Sequence, residues 1–103
     1  MLVIRNAQLR ALRDSILRDV EDEALAAWQE ADRPAAEDVR LAIARALTYG
    51  LASREQLLRF LDVGRKLSLD FDVDPNRKWA SEILNDAEIT AALKISILEE
   101  RAR

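Results

Sequence analysis

From Leu9 to Ala31 the apolar residues fall three and four positions apart: Leu9, Leu12, Ile16, Val20, Ala24, Ala27, Trp28 and Ala31. That spacing gathers them on one face of an α-helix and is incompatible with the two-residue period of a strand. It predicts a long amphipathic helix that begins near Asn6, a suitable N-cap, and runs to about Ala31. Asp32-Arg33-Pro34 ends it, because a residue before proline is pushed out of helical geometry.

Four breakers, Pro34, Gly50, Gly64 and Pro75, punctuate the whole chain. Pro34 suits the first position of a second helix, with Asp32 or Arg33 just outside it. That helix turns Val39, Ala42, Ile43, Ala46 and Leu47 inward and stops at Gly50, a natural C′ residue. Ser53 and Gln56, three apart, form a capping box for a third helix. Its inner face carries Leu57, Phe60, Leu61, Gly64 and Leu67. The helical period fails at 69–74, resumes in a short helix over 75–85, and closes in a final helix from Asp86 onward. Leu2-Val3-Ile4 is too short for a strand, and the run over 67–73 goes straight into a turn. A chain of 103 residues supports one domain, 1–103, with one core. The expected fold is all-α: a small bundle of four to five helices with a long amphipathic N-terminal helix.

The break in periodicity contains Asp70, Asp72 and Asp74 alternating with apolar residues, which is close to the opening of a calcium loop. An EF-hand starting at Asp70 needs glycine at its sixth position, where Pro75 stands. It needs glutamate at its twelfth, where Ser81 stands, with Glu82 one place late. A structural turn accounts for the same residues. Asp74 caps the short helix and Pro75 occupies its first position. An extended segment then points Phe71 and Val73 to the core, and Asp70 and Asp72 to the other side, to meet water or one of 13 arginines. No metal or other cofactor is expected.

The chain contains no cysteine and no histidine, which removes the common zinc ligands, the common general base and the thiol nucleophile. No serine has a lysine three residues on, and Gly50 and Gly64 do not make a phosphate loop. Formal net charge is −3 with no basic stripe, so neither nucleic acid nor a membrane is an expected partner. No apolar run approaches a membrane span or a secretory signal, so the expected compartment is the cytoplasm. The acidic run Asp19 to Glu23 reads as a solvated helix face, with a cation or a basic partner as the alternative. Trp28 and Trp79, two of five aromatic residues, are either partner-binding anchors or core residues, with core the simpler reading, and Tyr49 suits a helix end with its hydroxyl reaching water or a carboxylate.

The run from Tyr49-Gly50 to Ile89, in particular Asp70, Phe71, Asp72, Asp74, Pro75, Trp79 and Ala80, resembles a set of small helical bacterial proteins. These are associated with loci encoding type VI secretion effectors and their spike-tip proteins. Ile4, Arg5, Gln8 and Leu12 extend the likeness to nearly the whole chain. Ser68 and Lys78 depart from it, standing where glycine and proline are expected. The signature fixes a turn rather than a reaction. The resemblance implies a non-catalytic protein-binding module, an adaptor, chaperone or immunity-type protein, whose partner is an effector, a toxin or a spike-tip protein. A small regulatory protein, antitoxin-like or DNA-associated, is the alternative, and a carboxylate-based enzyme a distant third.

Two surfaces are candidate interfaces, for a partner or for self-association. A first helix of some 25 residues would be nearly 40 Å long, more than a globule of this size spans, so it either breaks or overhangs. An overhang would expose Val20, Ala24, Ala27 and Trp28. The final helix has two apolar stripes, one of Ile89, Ala92, Leu93 and Ile97 and one of Ala91, Ile95, Leu98 and Ala102. It is therefore either the central helix or shared with another chain.

Overall fold

The computed structural model describes residues 6–102, with side chains from Ser15 onward. Five α-helices follow in order: α1 (Asn6–Ala27), α2 (Ala36–Thr48), α3 (Arg54–Lys66), α4 (Lys78–Leu84) and α5 (Ala91–Arg101). Three short 3-10 turns, at Glu30–Asp32, Phe71–Val73 and Pro75–Arg77, join them, and no strand occurs among the described residues. The architecture is all-α, as the apolar spacing predicts. Asn6 as a cap, and Leu9 and Leu12 as core residues, lie outside the described side chains.

Local chemistry sets the helix ends. At the end of α2, Gly50 has a φ of 87°, the left-handed region in which a side chain is disfavoured. Its N–H donates to the Leu47 carbonyl, and the N–H of Leu51 donates to that of Ala46, both at 3.1 Å. This paired arrangement satisfies the last carbonyls and turns the chain back. Both halves of the Ser53–Gln56 capping box are formed at the start of α3.

Three boundaries differ from the sequence expectation. The first helix ends at Ala27, where the N–H of Trp28 reaches back only to Leu25, and a separate 3-10 turn covers Glu30–Asp32. Pro34 lies outside α2, because Arg33 and Ala35 are both extended, at ψ 125° and 143°. The final helix starts at Ala91, capped by Thr90 accepting from the N–H of Leu93. Asp86 instead nucleates its own turn, its carboxylate accepting from the N–H of Glu88 at 2.9 Å.

Helix α3 is the hub, packing against α1, α2 and α5, while α4 lies on α5 and on the Phe71–Val73 turn. The final helix is therefore not the central one. Its two sides face α3 and α4, which buries Ile95 and Leu98, supports Ala91 at the edge, and leaves Leu93 exposed. Val20 and Ala24 of α1 are likewise buried among core residues. An overhanging strip that includes them is thus corrected: α1 lays this face on α2 and α3. Each such fully buried side chain of valine to phenylalanine size contributes about 1.5–3 kcal/mol relative to exposure.

Candidate functional site

The break after α3 is built by close approach. A Cβ on Gly64 would stand 3.3 Å from Leu69 Cδ1 and 3.4 Å from Leu69 Cα, so the missing side chain lets the chain fold back onto α3. Residues 71–73 then form a 3-10 turn rather than an extended segment. With about three residues per turn, positions 71 and 73 no longer share a side. Phe71 and Asp72 go inward, and Val73 is 56 % exposed. The expected alternation, with Phe71 and Val73 inside and Asp72 outside, is overturned by this change of period. Phe71 packs against Phe60 in a tilted arrangement, with ring centroids 5.1 Å apart.

The buried Asp72 carboxylate has three donors. Arg45 Nε reaches Oδ2 at 2.8 Å and Arg45 Nη2 reaches Oδ1 at 3.2 Å, while the Tyr49 hydroxyl donates to Oδ2 at 2.7 Å. Arg45 Nη2 also donates to the Leu69 carbonyl at 3.0 Å, tying the guanidinium to the backbone of the turn. Arg45 and Tyr49 are one helical turn apart at the end of α2, so both face the same carboxylate. Burial, and then the bond to Asp72, pushes the Tyr49 phenol well above its ordinary range. Lys94, buried in α5, donates its ammonium to the Tyr49 carbonyl at 3.0 Å. It thereby places a cation at the negative end of α2.

The other two aspartates diverge from Asp72. Asp74 caps the turn that leads into α4, accepting from the N–H of Asn76 at 2.9 Å and from Arg77 Nη1 at 2.8 Å, with Pro75 first in the turn. Asp70 is exposed, its carbonyl accepts from the N–H of Val73 at 3.0 Å, and its carboxylate has no hydrogen-bond or ion-pair partner among the described residues. No three His, Cys, Asp or Glu side chains among the described residues are grouped to hold a metal. The triad is a buried anchor, a cap and a free carboxylate.

Sequence reasoning passed over Glu21. It stands four residues after Leu17 and three before Ala24, on the apolar face of α1, and this register is the signal that finds it. Glu21 is buried and accepts from Arg40 Nε at 3.0 and 3.1 Å, joining α1 to α2. Glu23 pairs with Arg54 and joins α1 to α3, so half of the acidic run belongs to interhelical contacts rather than a solvated face. Arg59 pairs with Glu99 between α3 and α5, and that bond holds the Glu99 carboxyl below its usual range. The final helix thus meets the hub through charge as well as apolar surface.

Of Val20, Ala24, Trp28, Ala91, Ile95 and Leu98, Trp28 and Ala91 retain accessible surface beside the core, while Ala27 and Leu93 on the same two helices are exposed. Trp28 lines an open groove of about 250 Å³ between α1 and α3, with Ala24, Ala27, Leu58 and Leu61 as its apolar wall. Glu23, Asp62 and Arg65 stand at its edge, each already in an ion pair. Trp79, the other tryptophan, is half-buried against the core with the Arg101 guanidinium 5.3 Å from its ring centre. No helix of the described residues is long and apolar enough to cross a membrane. No protein-family model, no curated protein and no solved structure matches the chain.

Proposed function

We propose that this domain is a non-catalytic protein-binding module that docks its partner in the groove at Trp28. The supporting observation is the make-up of that groove: a partly exposed tryptophan beside an apolar wall, ringed by charges that are already neutralised in pairs. An aromatic anchor inside a polar rim is how protein interfaces concentrate binding energy, and paired rim charges cost little to approach. The Asp70–Trp79 signature, by its resemblance to proteins of type VI secretion loci, points to an effector, a toxin or a spike-tip protein as the partner. A second copy of the chain would use the same surface in a homo-oligomer. Nucleic acid and membrane do not suit a face without excess positive charge.

Co-purification with the products of the neighbouring genes tests the reading, with Trp28→Ala and Leu58→Asp as variants. The expected result is a stable complex for the wild type and loss of it for both variants, each with a cooperative thermal transition. A complex that survives both substitutions in folded protein would refute the groove as the docking face.

A further inference from the structure

A second groove, lined in part by Arg45 of the Arg45–Asp72 anchor, has a different chemistry. It is an open depression of about 280 Å³ with Pro34, Leu41 and Leu69 as its apolar floor and Asp38, Asp70 and Arg45 as its charged groups. Leu41 is 52 % exposed, on the outer face of α2.

The charge balance of this groove is what distinguishes it. Arg45 spends its charge on the buried Asp72 and on the Leu69 carbonyl. Asp38 and Asp70 make no side-chain hydrogen bond or ion pair among the described residues. Two carboxylates without a side-chain partner, Asp38 in the first turn of α2 and Asp70 in the turn after α3, therefore border an apolar floor, whereas the charges around Trp28 are paired. A basic group entering here meets negative potential at both sides and gives up little, since an apolar neighbour covers Leu41 at the same time. Nucleic acid and anionic membranes are repelled by the same field.

We propose that this groove receives a basic, apolar segment of a partner protein. A lysine or arginine of the segment lies against the carboxylates of Asp38 and Asp70, and an adjacent apolar side chain covers Leu41 and Leu69. The surface is separate from the Trp28 groove, so either can fail without the other.

Titrating the isotope-labelled full chain with a short blocked peptide of alternating leucine and arginine, followed by amide NMR, tests this. Saturating shifts are expected at residues 38–41 and 69–70, weakened by added salt, and absent with the leucine–glutamate counterpart. The double variant Asp38→Asn with Asp70→Asn raises the dissociation constant about fivefold or more. Leu41→Ser does the same, and Trp28→Ala leaves the titration unchanged. All three altered residues of the groove are at the surface, so the variants fold. Shifts that never saturate, that centre on Trp28 and Leu58, or that persist in the double variant overturn the proposal. So do shifts at these residues that follow the protein's own concentration without peptide, which make a second copy the occupant.

Discussion

Asp72 and Arg45 meet across 27 positions of sequence in two hydrogen bonds of 2.8 and 3.2 Å, the carboxylate fully buried and the guanidinium side chain 28 % exposed. Such a pair is asymmetric in what its loss costs. Removing Arg45 strands a buried anion with one remaining donor, Tyr49, whereas Asp72→Asn removes the charge and keeps an acceptor for the tyrosine. Arg45→Met should therefore destabilise by about 3 kcal/mol, the low end for breaking a buried pair because Arg45 retains some solvent. Asp72→Asn should cost about half of that, near the value of one charged hydrogen bond. Denaturant melts of both, and of the double variant, check the order. The reverse order would mean that the charge of Asp72 itself carries more stability than its pairing with Arg45.

Tyr49 is the only tyrosine, so its ionisation can be followed by absorbance without interference. Its phenol is held above the ordinary range by burial and by the bond to Asp72. The unfolded chain releases this proton near pH 10, while the native chain keeps it to higher pH. The native state then binds more protons, so stability falls as pH rises above about 10. Tyr49→Phe should cost about 1.5 kcal/mol at neutral pH, and its deficit against the wild type should shrink in alkali. A deficit that stays constant to high pH would contradict the assignment.

Asp74→Ala removes a cap and an ion pair to Arg77 together. The expected loss is about 1 kcal/mol, with Asp74→Ser recovering most of it because a serine oxygen still accepts from the N–H of Asn76. Thermal melts of the two variants separate the cap from the charge. Equal losses would assign the effect to Arg77 instead.

Glu99 titrates in the acid limb. The bond from Arg59 lowers its carboxyl below the unfolded value of about 4.3, so the pairing stabilises the fold above that pH and is lost as pH falls through the lowered value. Arg59→Gln should flatten the acid decline of stability and leave its alkaline limb in place. Unfolding curves between neutral and strongly acidic pH show which holds.

Much of this was readable where one residue decides a local geometry. Gly50 as a helix stop, the Ser53–Gln56 box, and Asp74 with Pro75 all act within four positions, and each was legible as a spacing. An arginine for the acidic stretch was also expected, but not which one. Arg45 lies 27 positions upstream, and only the fold of α2 over the turn selects it. The inside and outside of residues 71–73 depended on choosing an extended segment over a 3-10 turn, and Gly64, the residue that permits the tighter path, acts from another helix. Asp86 and Thr90 are both good first residues of a helix, and the structure starts the final helix after Thr90 rather than at Asp86.

Tyr49 also orders events in time. Its hydroxyl waits for residue 72 and its carbonyl for the ammonium of residue 94, 45 positions further on. On a ribosome, α2 and α3 emerge before the partners of Tyr49, and the last of these follows only 45 positions later. Local helices can form earlier, but the lock that joins them closes only once Lys94 is free to reach the Tyr49 carbonyl. A nascent chain arrested before Lys94 should therefore remain open to proteases that the released protein resists.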